Sequence, residues 1–89
     1  MKSKKIEYPH FRHYKRSNHP ALIVGEYSNT EYNYRKVTHN ERDGRHLNEK
    51  VTPNPNPKDK KPMYIGKRVR HDKKAHFSKW IYPWLYKKK

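Results

Sequence analysis

His39 follows Thr38 at the end of the alternating stretch "EYNYRKVT", Glu26 closes the apolar stretch before it, and Arg68 and Arg70 come from a basic run further along. A base, an acid and a cation of these types can act on an RNA 2′-hydroxyl without a metal. His39, Glu26 and Arg68 therefore form one candidate catalytic set, although ordinary polar residues at a sheet edge look the same. The seven histidines also raise the question of a metal. Zinc sites draw on close His or Cys pairs, and the nearest here are His10 with His13 and His71 with His76, with no cysteine in support. The expectation is no metal and no cofactor.

A broader pattern is the interleaving of rings and cations. Tyr32, Tyr34, Arg35 and Lys36 fall on one predicted strand, and Tyr64, Lys67, Arg68 and Arg70 on another. Cations neutralise phosphates and rings stack on unpaired bases, so these eight residues are the expected nucleic-acid-binding set. The bland alternative is that the tyrosines are core and the lysines only confer solubility. The chain carries 23 Lys plus Arg against 8 Asp plus Glu, a formal charge of +15, which exceeds what solubility requires. A polyanionic partner is expected, with RNA or single strands slightly favoured over duplex because tyrosines suit unpaired bases. The first expectation is binding without catalysis. An RNA-cleaving toxin and an adaptor that binds an acidic protein are the alternatives.

These residues need a scaffold, and the scaffold reads as mainly β. Ala21 to Tyr27 has a β-branched centre between Pro20 and the turn-prone Ser28 and Asn29, which predicts a buried strand. Glu31 to Thr38 alternates, with Tyr32, Tyr34, Lys36 and Thr38 on one face and Asn33, Arg35 and Val37 on the other; the short link predicts a hairpin. Residues 52–62, with their repeated Asn-Pro, predict an extended polyproline-like loop. Met63 to Arg70 predicts a third strand, "HDKK" a turn, and "AHFSKWIYPWLY" a returning fourth strand. Together they suit a small SH3-like barrel or a strongly bent antiparallel sheet. Residues 1–18 read as a basic arm, with at most a short edge strand, 19–86 as the β domain and 87–89 as a basic tail.

Only 30% of the 89 residues are hydrophobic, which limits the chain to one domain and argues against a large enclosed active site. The eight tyrosines, two tryptophans and two phenylalanines can still hold a small core, because each ring carries a large buried area. Without cysteine there is no disulfide framework and no thiol nucleophile. The basic start has no apolar run behind it, and Ala21 to Val24 is far too short to span a bilayer, so a cytoplasmic protein without a membrane partner is expected.

The segments "HPALIVGE", "RKVTH" and "NPNPKDKKPMYIGKRVRHD" together resemble a group of small basic proteins of bacterial mobile elements. The resemblance spans about Asn18 to Trp80, implies a bacterial protein linked to conjugative or integrative elements, and supplies no catalytic residues. More distantly, the strand pattern around Pro20 to Thr38 resembles the PemK and MazF type of toxin ribonuclease, which implies an SH3-like barrel.

Overall fold

The computed structural model describes residues 7–51, 54–84 and 86. Eight strands follow one another along the chain: β1 (His10–Tyr14), β2 (His19–Glu26), β3 (Glu31–Thr38), β4 (Arg42–Asp43), β5 (His46–Leu47), β6 (Glu49–Val51), β7 (Met63–Ile65) and β8 (Arg70–Lys73). A single 3-10 turn follows at Lys74–His76, and no α-helix occurs among the described residues.

The apolar run seeds the sheet. β2 places Phe11 of β1 opposite Leu22 and Tyr34 of β3 opposite Ile23, both pairings antiparallel. Register with β3 begins at Ala21, so Pro20 with its missing N–H interrupts no bond on that side. The Tyr27 N–H donates to the Glu31 carbonyl at 2.9 Å and closes the expected β2–β3 hairpin. Residues 10–14, which the sequence leaves within the basic arm, enter the sheet as its edge strand; residues 1–6 of that arm and the 87–89 tail lie outside the described residues.

The far side of β3 departs most from expectation. Met63 to Arg70 is not one strand. Val37 pairs with Ile65 of β7, and Tyr34 pairs with Arg70 of β8, so two residues of β3 face four residues, Gly66 to Val69. The extra residues bulge outward. The predicted "HDKK" turn is mostly the body of β8. The six-stranded sheet runs β1-β2-β3-β7-β6 with β8 also on β3, and β4 and β5 form a separate small hairpin. The two ends of that order, β1 and β6, do not pair, so the sheet is open and the expected SH3-like barrel does not form; the coarser expectation of a mainly β antiparallel sheet holds.

Residues 77–84 do not return as a full strand. They run along the outer edge of β1 through isolated bridges, Tyr14 with Phe77 and Phe11 with Tyr82, reinforced by Ser78 and Tyr82 N–H groups donating to His13 and Phe11 carbonyls at 2.8 Å each. Pro83 and the half-exposed aromatics suit an edge cover rather than a ladder. Arg12 fastens this cover from below: buried, it donates to the Ser78 carbonyl at 2.8 Å and to His10 Nε2 at 3.0 Å.

Both faces of the sheet are packed. Phe11, Leu22, Val37, Val51, Met63 and Ile65 form one cluster, sealed by Tyr82, Trp84 and Tyr86; Ala21, Ile23, Tyr32, Tyr34 and Phe77 form the other. Because successive strand residues point to opposite faces, the whole apolar run of β2 is used, alternate residues going to alternate cores. Hydrophobic residues are few, and aromatic rings from outside the strands complete each core.

Candidate nucleic-acid interface

The Gly66–Val69 bulge is held by β3. The Gly66 N–H donates to the Lys36 carbonyl at 2.9 Å, and Arg35 Nε donates to the Gly66 carbonyl at 2.6 Å. The same guanidinium reaches Glu49 at 2.8 Å, and the Tyr86 hydroxyl donates to the other Glu49 oxygen at 2.6 Å. With its base pinned, the bulge projects Lys67, Arg68 and Val69 into solvent.

Two open grooves meet at this bulge and share Lys36, Arg68 and Arg70. One, of 790 Å³, passes between the bulge and the β1–β2 turn and adds Arg16, His19 and His71. The other, of 630 Å³, passes toward the β4–β5 hairpin and adds Arg42, Arg45 and Lys67. Gly44, at φ 65, supplies the left-handed residue that the tight β4–β5 turn requires. Among the described residues, the only carboxylate in these linings is Asp72, in the first groove. That carboxylate accepts hydrogen bonds from the Tyr14 hydroxyl and the Lys73 N–H and pairs with His76 at 2.9 Å and Arg16 at 3.4 Å. Burial works against its charge, but the bonds from Tyr14, His76 and Lys73 outweigh burial and hold its pKa at about 2. Asp72 is thus committed internally, and the grooves are cationic.

Of the eight residues expected at this interface, five line the grooves: Lys36, Lys67, Arg68 and Arg70, with Tyr34 contributing only its nearly buried edge to the first. Arg35 is a structural clamp. Tyr32 and Tyr34 are only 8% and 7% exposed, set edge-on against Phe77, so their faces do not present a stacking surface. Tyr64 is half-buried on β7 between Thr38 and Lys50 and lines neither groove. Arg16, Arg42 and Arg45 line the grooves as well, and nothing local in the sequence tells which turns fold back onto the β3 side.

The catalytic set of His39, Glu26 and Arg68 is not assembled. Glu26 pairs with Tyr32 at one end of the hairpin and contacts Lys74 at 3.2 Å. His39 lies just past the other end, about 23 Å along the strand. His39 has different company: its Nε2 donates to Asp59 Oδ2 at 2.7 Å, and Asn54 Nδ2 donates to the same oxygen at 3.0 Å. The bond from His39 holds the Asp59 carboxyl below its usual range, against the opposing effect of burial and with help from the Lys61 N–H and Asn54. The loop that delivers Asp59 is not a plain polyproline stretch. From Asn54 onward it is a series of Asx turns, with the Asn54, Asn56 and Asp59 side chains each accepting the N–H two residues ahead. A pocket of 510 Å³ results, lined by His39, Asp59, His19, Lys58 and Trp84. It shares His19, Pro20, Val37 and Thr38 with the first cationic groove.

Among the described residues, no group of three or more His, Asp or Glu side chains is arranged to hold a metal ion. No family model, curated protein or solved structure matches the chain.

Proposed function

We propose that the protein binds nucleic acid along the paired cationic grooves. The observation that carries this reading is the bulge: Lys67, Arg68 and Arg70 stand exposed beside Lys36, Arg42 and Arg45, and Asp72, the one carboxylate among the described lining residues, is already committed to Tyr14, His76 and Arg16. A surface of this sign attracts a phosphate backbone and releases its counterions. The test is the salt dependence of affinity. Log affinity is expected to fall linearly with log salt, with a slope of about −0.9 per phosphate contact on duplex or about −0.7 on single strands. Replacing Arg68 and Arg70 with alanine is expected to flatten the slope by about one to two. If neither RNA nor DNA binds at low salt, where attraction is strongest, the reading fails and an acidic protein becomes the partner to seek.

The His39 pocket supports a second reading, a metal-independent RNA-cleaving toxin. Asp59 takes the Nε2 proton of His39 as a hydrogen bond and leaves Nδ1 as the base. In this reading Nδ1 removes the 2′-hydroxyl proton, O2′ attacks the adjacent phosphorus, and His19, as the general acid, gives a proton to the departing 5′-oxygen. The products are a 2′,3′-cyclic phosphate and a 5′-hydroxyl, with Lys58 beside the phosphate. Cleavage that survives chelator, spares 2′-deoxy substrates and disappears in His39→Ala is the expected result. Intact RNA after prolonged incubation with protein that binds it leaves the binding role alone.

A further inference from the structure

We infer that the open face of Tyr27, stacked on the groove residue His71, is a stacking platform for an unpaired nucleobase. The inference rests on the nucleic-acid reading above and deepens it, because the rings expected to stack on bases, Tyr32 and Tyr34, are inside the core.

Tyr27 is 55% exposed, yet its ring is fixed. Its backbone is tied by the N–H bond to the Glu31 carbonyl at 2.9 Å. Its ring lies on that of His71 with centroids 3.9 Å apart and planes 4° from parallel. His71 is itself held on β8, opposite Asn33, with Nδ1 bonded to Glu31 Oε1 at 2.9 Å. Two elements therefore set the orientation of a ring whose outer face is open to solvent. An exposed tyrosine that is free to rotate loses rotamer freedom when it binds, and a ring already pinned from beneath loses less.

His71 lines the groove together with Arg68 and Arg70, although as successive residues of β8 the Arg70 and His71 side chains leave opposite faces of that strand. A strand that follows the groove cations past this edge brings an unpaired base to the Tyr27–His71 stack. The two carboxylates nearest Tyr27 in the chain do not stand alone against its phosphates: Glu31 is paired with His71 and Glu26 with Lys74 at 3.2 Å. Every base has a π-face, so the platform accepts any unpaired base, whereas bases in a duplex are already stacked on one another. It gives the groove a preference for single strands that the cations by themselves do not supply.

The test compares three probes of about 12 nucleotides, within the site sizes of small single-strand binders: an oligothymidylate, an abasic strand of equal charge and a duplex. Wild type is expected to bind the oligothymidylate more tightly than the abasic strand. Tyr27→Ala is expected to weaken oligothymidylate binding about 5- to 150-fold, the range that the loss of one stacked base implies, with an unchanged salt slope and with abasic and duplex affinities within about twofold of wild type. Tyr27→Phe keeps the stack and is expected to bind as wild type does. Should Tyr27→Ala fold poorly by circular dichroism, Tyr27→Leu retains apolar bulk over His71 without the π-face and gives the same reading. Undiminished oligothymidylate binding by the folded variant overturns the platform and leaves the groove standing. Failure of wild type to bind any of the three probes overturns the nucleic-acid reading itself.

Discussion

Arg35 Nε grips the Gly66 carbonyl at 2.6 Å, so a cation that the sequence places at the surface is the anchor of the bulge that displays other cations. Its second bond, to Glu49 at 2.8 Å, ties β3 to β6 across β7. Arg35→Ala leaves the Gly66 carbonyl and the Glu49 carboxylate each short of a partner, and a loss of about 2 to 3 kcal/mol in unfolding free energy is expected. Arg35→Lys should recover only part, because an ammonium cannot reproduce the planar fork. Lys67→Ala, on the exposed crest of the same bulge, should stay within about 0.5 kcal/mol of wild type in denaturant titration. Equal effects of Arg35→Ala and Lys67→Ala on stability would count against the clamp.

The stacking role expected of Tyr32 and Tyr34 becomes a stability prediction. Tyr34→Ala empties a position beside Phe77 and Tyr14 and is expected to cost about 3 to 5 kcal/mol. Tyr34→Phe loses only the hydroxyl bond to Tyr14 at 3.4 Å, for about 1 kcal/mol or less. Nucleic-acid affinity of folded Tyr34→Phe should match wild type.

Phe77 comes from outside the strands but is as buried as Ile23 in the same cluster. Ile23→Ala is expected to cost about 2 to 4 kcal/mol and Phe77→Ala about 3 to 5. For so small a core either change can abolish cooperative unfolding, and thermal melts followed by circular dichroism will show it. A Phe77→Ala protein that melts as wild type does would mean that residues 77–84 do not cover β1.

Acid should destabilise the protein in two windows. Arg12 Nε donates to His10 Nε2 while His10 Nδ1 donates to the Glu7 carbonyl, an arrangement that requires neutral His10; burial, opposed by the Glu7 bond and aided by Arg12, holds its pKa below the usual histidine value. A depressed histidine contributes stability above its unfolded pKa of about 6.5 that is lost as pH falls through the folded value. Asp72, at about 2 against an ordinary 3.8, adds about 2 kcal/mol above pH 4 that is lost as pH falls toward 2. Unfolding free energy should fall in both ranges, and His10→Gln should remove the upper step while Asp72→Asn removes the lower.

The sequence by itself determined what depends on neighbours in the chain. The β-branched run and the alternation of Glu31 to Thr38 specified a hairpin, the repeated Asn-Pro of residues 52–62 specified a non-helical loop though not its Asx turns, and the charge of +15 specified the sign of the surface. Which side of an alternating strand is buried is a different kind of question. Alternation puts Tyr32 and Tyr34 on one face and Val37 on the other, but both faces are covered here, one by Phe77 and the other by Trp84 and Tyr86, and those covers arrive from about 40 to 50 residues away in the chain. The same holds for the cations. Arg35 and Arg68 are alike in the sequence, and only the four-against-two mismatch between Gly66–Val69 and β3 decides that one is turned inward to satisfy a carbonyl and the other outward to solvent. Likewise His39 finds Asp59 rather than Glu26, because a strand of eight residues keeps its two ends apart while a folded loop brings a distant carboxylate back. Local pattern sets conformation, and long-range pairing sets which side chains remain free to bind.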